Sequence, residues 1–131
     1  GYEVECAVMG NNEPITGEVG QILASAEFYD FDAKYNNPSQ TVIPAQLSDE
    51  KREEIKKQAI KAYSAMGCEG MSRVDFFVTR NDERVLLNEI NTIPGQTAIS
   101  MYPKLFEAVG VSYKELIDRL IQLALERGGR I

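Results

Sequence analysis

The sequence predicts an α+β domain built on an antiparallel sheet with packed helices. Residues 72–79 and 84–91 both read as strands, and only the four-residue turn Arg80-Asn81-Asp82-Glu83 separates them. So short a connection makes a hairpin, which is antiparallel by construction. Two other stretches carry apolar residues at helical spacing, one before the hairpin and one after it. The order strand, loop, helix, hairpin, helix lacks the strict βαβ alternation of a parallel sheet.

The elements follow in chain order. Glu3 to Met9 reads as a strand, with Val4, Cys6 and Val8 alternating against Glu3 and Glu5. Gly10-Asn11-Asn12 is turn chemistry. Glu27-Phe28-Tyr29 reads as a short strand, and residues 30–44 as a long polar loop with Asn36-Asn37-Pro38-Ser39 within it. A loop of that length inside a compact domain is expected to be a functional lid or disordered. Ser48 is the predicted N-cap of a helix, with Asp49 and Glu50 in its first turn. Ile55, Ala59, Ala62, Tyr63 and Met66 form its apolar stripe, and Gly67 ends it. Ser112-Tyr113-Lys114-Glu115 is a capping box. It opens a last helix whose apolar face is Leu116, Leu120, Leu123 and Ala124, flanked by Ile117 and Ile121.

Composition narrows the chemistry. The 131 residues suit a single domain, and 44% hydrophobic against 26% charged residues is the balance of a chain that folds around a core. A net charge of −6 without a basic stripe argues against a nucleic-acid partner. No apolar run reaches the roughly 20 residues of a membrane helix, so no membrane partner is expected. The opening Gly1-Tyr2-Glu3-Val4 has no initiator Met, no basic segment and no apolar leader, and reads as a cut piece of a longer chain. Cys6 and Cys68 are far apart and read as free thiols of a reducing compartment. The chain has no His, which removes Ser-His-Asp triads, Cys-His dyads and His-bound zinc. Carboxylates, amides, Arg, Lys, Tyr, backbone N–H groups and hard metal ions remain.

Those groups concentrate in the hairpin segments Arg73-Val74-Asp75-Phe76-Phe77-Val78 and Leu87-Asn88-Glu89-Ile90-Asn91. Side chains alternate across a strand, so Arg73 and Asp75 share one face, as do Glu89 and Asn91. A hairpin centred near Asp82 sets Asp75 opposite Glu89 and Arg73 opposite Asn91. Opposed residues stand about 5 Å apart at Cβ, where two carboxylates repel unless a cation lies between them. An all-oxygen set suits Mg²⁺ or Mn²⁺ bridging phosphates. Arg73 stays charged and can stabilise an oxyanion. From spacing alone the same residues read equally as a solvated face with one Arg–Asp ion pair. The following loop, Asn91-Thr92-Ile93-Pro94-Gly95-Gln96-Thr97, turns at Pro94-Gly95 and presents backbone N–H groups beside that face. By itself Pro94-Gly95 is an ordinary turn signal.

Taken together, EFYDFDAKY (27–35), GCEGMSRVDFF (67–77), NEINTIPGQT (88–97) and SMYPKLF (100–106) resemble the D-alanine:D-alanine ligase family. The resemblance runs in order from Gly1 through the final helix. It implies that residues 1–131 form the C-terminal part of an ATP-grasp fold. The reaction it implies is ATP-dependent joining of two D-alanines through an acyl phosphate, for peptidoglycan precursors in the cytoplasm. By resemblance, Asp75, Glu89 and Asn91 correspond to ligands of two Mg²⁺ (or Mn²⁺) ions. Arg73 and the Gly95 N–H correspond to the oxyanion donors. Ser100 and the Met101 N–H correspond to the grip on the acceptor carboxylate. Glu3, Lys34, Asn88 and Glu89 correspond to nucleotide-binding positions. Lys34 and Tyr35 match the family's mobile loop, which closes over the phosphates and the first D-alanine. Glu3 matches a Glu that reaches the ATP ribose and the loop Tyr.

Gln96 stands where the family more usually carries Phe or Met, and there is no Gly-rich P-loop. The implied partners are D-alanine, the N-terminal and central domains of the same enzyme, and a second copy in a homodimer. A D-alanine:D-serine ligase and a non-catalytic α+β module are the alternatives. Lactate-preferring relatives carry His where this chain has Tyr35.

Overall fold

The computed structural model describes residues 1–23, 41–97 and 99–128. Strands β1 (Tyr2–Gly10), β2 (Ile15–Ile22) and β3 (Thr41–Val42) precede helix α1 (Asp49–Ala65). The hairpin β4 (Gly70–Val78) and β5 (Val85–Asn91) follows, then α2 (Met101–Glu107) and α3 (Tyr113–Gly128). The strands make one sheet in the order β3-β2-β1-β4-β5, and every neighbouring pair is antiparallel. The class is the α+β class that the sequence predicts.

β1 lies at the centre and is buried from Val4 to Gly10 on both faces. Its even residues Val4, Cys6 and Val8 join Val19, Val74, Phe76 and Val78 beneath α1, which supplies Ile55, Ala59 and Tyr63. Its odd residues Ala7 and Met9 join Tyr102, Leu105, Phe106, Val111 and Leu116 of the α2–α3 side. Two tyrosines tie these layers to the end of β1. From the α1 side Tyr63 donates to the Gly10 carbonyl at 2.5 Å, and from the α2 side Tyr102 donates to the Val8 carbonyl at 2.9 Å.

Ser48 and Ser112 cap their helices, but the expected capping box is only half made, because the Glu115 carboxylate pairs with Arg119. Ser48 Oγ accepts from the Lys51 N–H at 3.1 Å, and Ser112 Oγ from the Glu115 N–H at 3.2 Å. Gly67 takes the left-handed conformation past the end of α1, with φ +70°. Met66 and Ala124, read as part of apolar faces, are exposed instead.

Two elements are new with respect to the sequence reading, and one boundary moves. β2 escapes periodicity because Gly17 and Gly20 interrupt its apolar pattern. Both glycines make room for α2. A Cβ on Gly17 would lie 2.8 Å from the Leu105 carbonyl oxygen, and one on Gly20 would lie 2.8 Å from Leu105 Cδ2. Gly17→Ala should therefore push α2 off the sheet through its backbone and cost about 1–3 kcal/mol. Chemical denaturation checks this, and an unchanged midpoint contradicts it. α2 itself is short, with Pro103 in its first turn, where no intrahelical N–H is lost. The end of the expected long loop is structured: Thr41 and Val42 pair with Ile22 and Gln21 as β3, and the Ile43–Pro44 bond is cis. The expected strand at 27–29 and the rest of the loop, with Lys34 and Tyr35, lie outside the described residues.

Candidate active site

The β4–β5 hairpin carries the acidic and basic side chains on its α2–α3 face. Asp75 stands opposite Glu89, and Arg73 opposite Asn91. β1 lies on the other side of β4 in a register that sets Glu5 opposite Asp75 and Ala7 opposite Arg73. One face therefore runs Glu5, Asp75, Glu89 across three strands, with Arg73 and Asn91 in the next row. Below that row α2 and α3 cover the sheet over Ala7 and Met9. Above it the face continues through Glu3, Phe77 and Leu86, all exposed.

A bulge in β5 helps to set this arrangement. The register shifts between Asp75 and Phe76, so Asp75 pairs with Glu89 but Phe76 with Leu87. Asn88 is the extra residue. A hairpin centred on Asp82 throughout would pair Phe77 with Leu87; the bulge pairs it with Leu86.

The charges are tightly interlocked. Arg73 Nε donates to Asp75 Oδ1 at 2.9 Å, and an Arg73 terminal NH₂ to Asp75 Oδ2 at 3.0 Å. The same Nε lies 3.2 Å from Glu5 Oε2. Glu5 is only 6% exposed and Asp75 only 7%, so neither charge is well hydrated. Burial first, then the neighbouring Asp75 charge, raise Glu5 from 4.5 to about 7, with Arg73 pulling the other way. Asp75 is also raised, chiefly by burial, against the pull of Arg73 and with Glu89 adding to the rise. The face holds more negative charge than one guanidinium balances, as a cation-binding surface would.

Stability should depend on pH accordingly. Glu5 binds its proton more tightly folded than unfolded. Its stabilising contribution is therefore complete below about pH 4.5 and is lost as pH rises through about 7. Metal-free protein should have a higher Tm near pH 5 than near pH 8, with Glu5 responsible for up to roughly 3 kcal/mol. Glu5→Gln should flatten that slope, and a slope that survives the substitution contradicts the assignment.

The donor set fits a hard divalent ion. Two carboxylates and one amide carbonyl, all oxygen, stand as neighbouring pairs on adjacent strands. Mg²⁺ usually takes one or two carboxylates and leaves other positions to phosphate and water. Among the described residues no group of three or more His, Cys, Asp or Glu is placed to hold a metal. Asn91 Oδ1 accepts from the Ile93 N–H at 3.0 Å, which fixes the orientation of its carbonyl. That bond leaves one lone pair of the oxygen.

The loop after β5 gathers a second group. A Cβ on Gly95 would lie 2.9 Å from Ser100 Oγ, so the bare glycine makes room for that hydroxyl. Ser100 Oγ accepts from the Thr97 N–H at 3.1 Å and lies 2.6 Å from Thr97 Oγ1. Ser100 is the N-cap residue of α2, and its hydroxyl makes no capping bond there. Met101 is the first helical residue, whose N–H has no partner within the helix. The loop is anchored at Gln96, whose carbonyl accepts from the Tyr113 hydroxyl and whose Nε2 lies 3.3 Å from Met71 Sδ.

Glu3 lies on the same face of β1 as Glu5, opposite Phe77, and Asn88 lies at the bulge. Glu5 is the residue that sequence reasoning missed. Its signal was an acid inside an otherwise apolar strand, which alternation alone assigns to solvent. The carboxylate row runs from the buried Glu5 and Asp75 to the exposed Glu89 on β5. Two hollows of the described surface lie away from it, along the outer face of α1 and between the β1–β2 turn and α3.

Comparison with known proteins fits this geometry. Residues 1–122 match the family model described as D-ala D-ala ligase C-terminus. The D-alanine:D-alanine ligase of Acetivibrio thermocellus is 53% identical over 128 residues, 97% of this chain and 34% of the relative. The chain thus spans about a third of the length of the curated relatives it matches. Among solved structures, the ligase from Coxiella burnetii superposes with a TM-score of 0.85 at 43% identity, over 99% of this chain and 33% of that one. The VanG D-Ala:D-Ser ligase from Enterococcus faecalis gives 0.79 at 39% identity, over 94% and 36%. A Bacillus anthracis D-alanine:D-alanine ligase complexed with ATP gives 0.75 at 31%, over 96% and 40%. The chain belongs to the D-alanine:D-alanine ligase family, and it matches the C-terminal portion of that family.

Proposed function

We propose that the complete ligase carrying this chain joins two D-alanines to D-alanyl-D-alanine at the expense of ATP. The observation that carries the reading is the single face on which Arg73, Asp75, Glu89 and Asn91 meet. On this reading the chain is one half of the nucleotide clamp, and the remaining domains supply the other half and the first D-alanine's pocket. Asp75, Glu89 and Asn91 would hold Mg²⁺ or Mn²⁺. The ions, when bound, offset the charge of bringing a carboxylate against the γ-phosphate.

The chain's own residues account for the rest. Arg73, fixed by Asp75 and Glu5, presents a permanent positive charge to the oxyanion of the tetrahedral intermediate, together with the Gly95 N–H. Ser100 Oγ and the Met101 N–H receive the acceptor's carboxylate and orient its amine towards the acyl phosphate. Glu3, Asn88 and Glu89 line the nucleotide's side of the face, and Lys34 and Tyr35 close over the phosphates. The reaction belongs in the cytoplasm, where ATP is available, and the complete enzyme is taken as a homodimer. No helix among the described residues is long and apolar enough to cross a membrane.

The likeness to a D-Ala:D-Ser ligase favours one second reading, D-serine as acceptor. A pocket that accepts a methyl group rejects an added hydroxyl only weakly. The test is chromatography of products from the complete ligase with ATP, Mg²⁺, D-alanine and equimolar D-serine. D-alanyl-D-alanine in excess supports the proposal, and D-alanyl-D-serine in excess supports the second reading. ADP release that ignores both amino acids contradicts both.

A further inference from the structure

We propose that Glu5 is a positioning residue for this site: it is the second anchor of Arg73, holding the guanidinium in place when Asp75 turns towards a divalent ion. The inference rests on the reading of Asp75 as a metal ligand given above.

The geometry presents a conflict that Glu5 resolves. Both oxygens of Asp75 are engaged by Arg73, at 2.9 and 3.0 Å. Each oxygen keeps a second lone pair for an ion, but a dication bound there draws charge out of the carboxylate and weakens its bonds to Arg73. Without a second partner, the released N–H would face a buried surface unpaired, and Arg73 would be free to swing away from the oxyanion position. Glu5 Oε2 is already 3.2 Å from Arg73 Nε, the atom bonded to Asp75 Oδ1. The guanidinium can pass this bond from one carboxylate to the other with little movement.

Burial and register support the role. Glu5 is 6% exposed and sits between Gly20 on β2 and Asp75 on β4. Among the described residues Arg73 is the one cation at ion-pair distance from it. An acid in the middle of a sheet is costly unless paired, and an apolar residue there would serve packing better.

The test is Mn²⁺ binding to the complete ligase with a non-hydrolysable ATP analogue, followed by the electron paramagnetic resonance of free Mn²⁺. Asp75→Asn, Glu5→Gln, Arg73→Met and the Glu5→Gln/Arg73→Met double variant are compared with the parent. Glu5→Gln keeps the side chain's shape and removes its charge. The expected result is Mn²⁺ affinity about tenfold weaker in Glu5→Gln, the size usual for losing a partner behind a metal ligand. In the Arg73→Met background the same change should alter affinity less than about twofold, because the residue it acts through is gone. Parent-like Mn²⁺ affinity in Glu5→Gln, with binding lost in Asp75→Asn, overturns the inference and leaves the metal site standing. A tenfold effect that persists without Arg73 also overturns it, since Glu5 would then act by its field alone. Unchanged Mn²⁺ binding in Asp75→Asn removes the metal reading itself, and the inference with it.

Discussion

Asp75→Asn and Glu89→Gln, each made in the complete ligase, should lower kcat by at least about a thousandfold while the protein remains folded. The substitutions keep shape and remove one negative charge from a face crowded with it. The two residues are directly opposed across β4 and β5. Opposed acids repel, so neither substitution should destabilise the sheet through that pair. Arg73 loses part of its partnership with Asp75 in the first variant but keeps Glu5 at 3.2 Å. Tm should therefore stay within a few degrees of the parent. Steady-state kinetics beside thermal unfolding separates the two effects. Normal kcat in either variant contradicts the metal role.

The 131-residue chain alone should show no D-alanine-dependent ADP release. The chain spans about a third of the length of its curated relatives. The residues proposed here supply metal ligands, an oxyanion donor and an acceptor grip. The adenine pocket and the contacts to the first D-alanine are expected from the rest of the enzyme. Lost orientation can forfeit roughly 7–11 kcal/mol of a barrier. At about 1.4 kcal/mol per tenfold, that is at least five orders of magnitude in rate. A coupled assay with D-alanine, ATP and Mg²⁺ at saturation checks this. Steady D-alanine-dependent turnover would mean that this chain contains a complete active site.

The sequence made the hairpin legible because its signals are local. A short turn makes the hairpin and alternation sets the face, but the turn's own register, Val78 with Val85, would put Asp75 opposite Asn88; the bulge brings Glu89 there. The caps at Ser48 and Ser112 were legible for the same reason. What escaped depends on contacts distant in the chain. β2 is hidden by Gly17 and Gly20, whose purpose appears only once Leu105 of α2 lies against them. α2 is too short to show a helical period and contains Pro103. Glu5 looked like one of two solvent-facing acids on β1. It becomes part of the site only because β1 pairs with β4, some 70 residues later in the chain, an arrangement no local pattern specifies. The bulge at Asn88 was equally silent, since it arises from how two strands meet.

The most direct test is to locate the ions. Crystals of the complete ligase grown with Mn²⁺ and a non-hydrolysable ATP analogue would show them by anomalous scattering. The account predicts two peaks whose protein ligands are oxygen atoms drawn from Asp75, Glu89 and Asn91. A peak coordinated by other residues, with Asp75 still held by Arg73 through both oxygens, would contradict it.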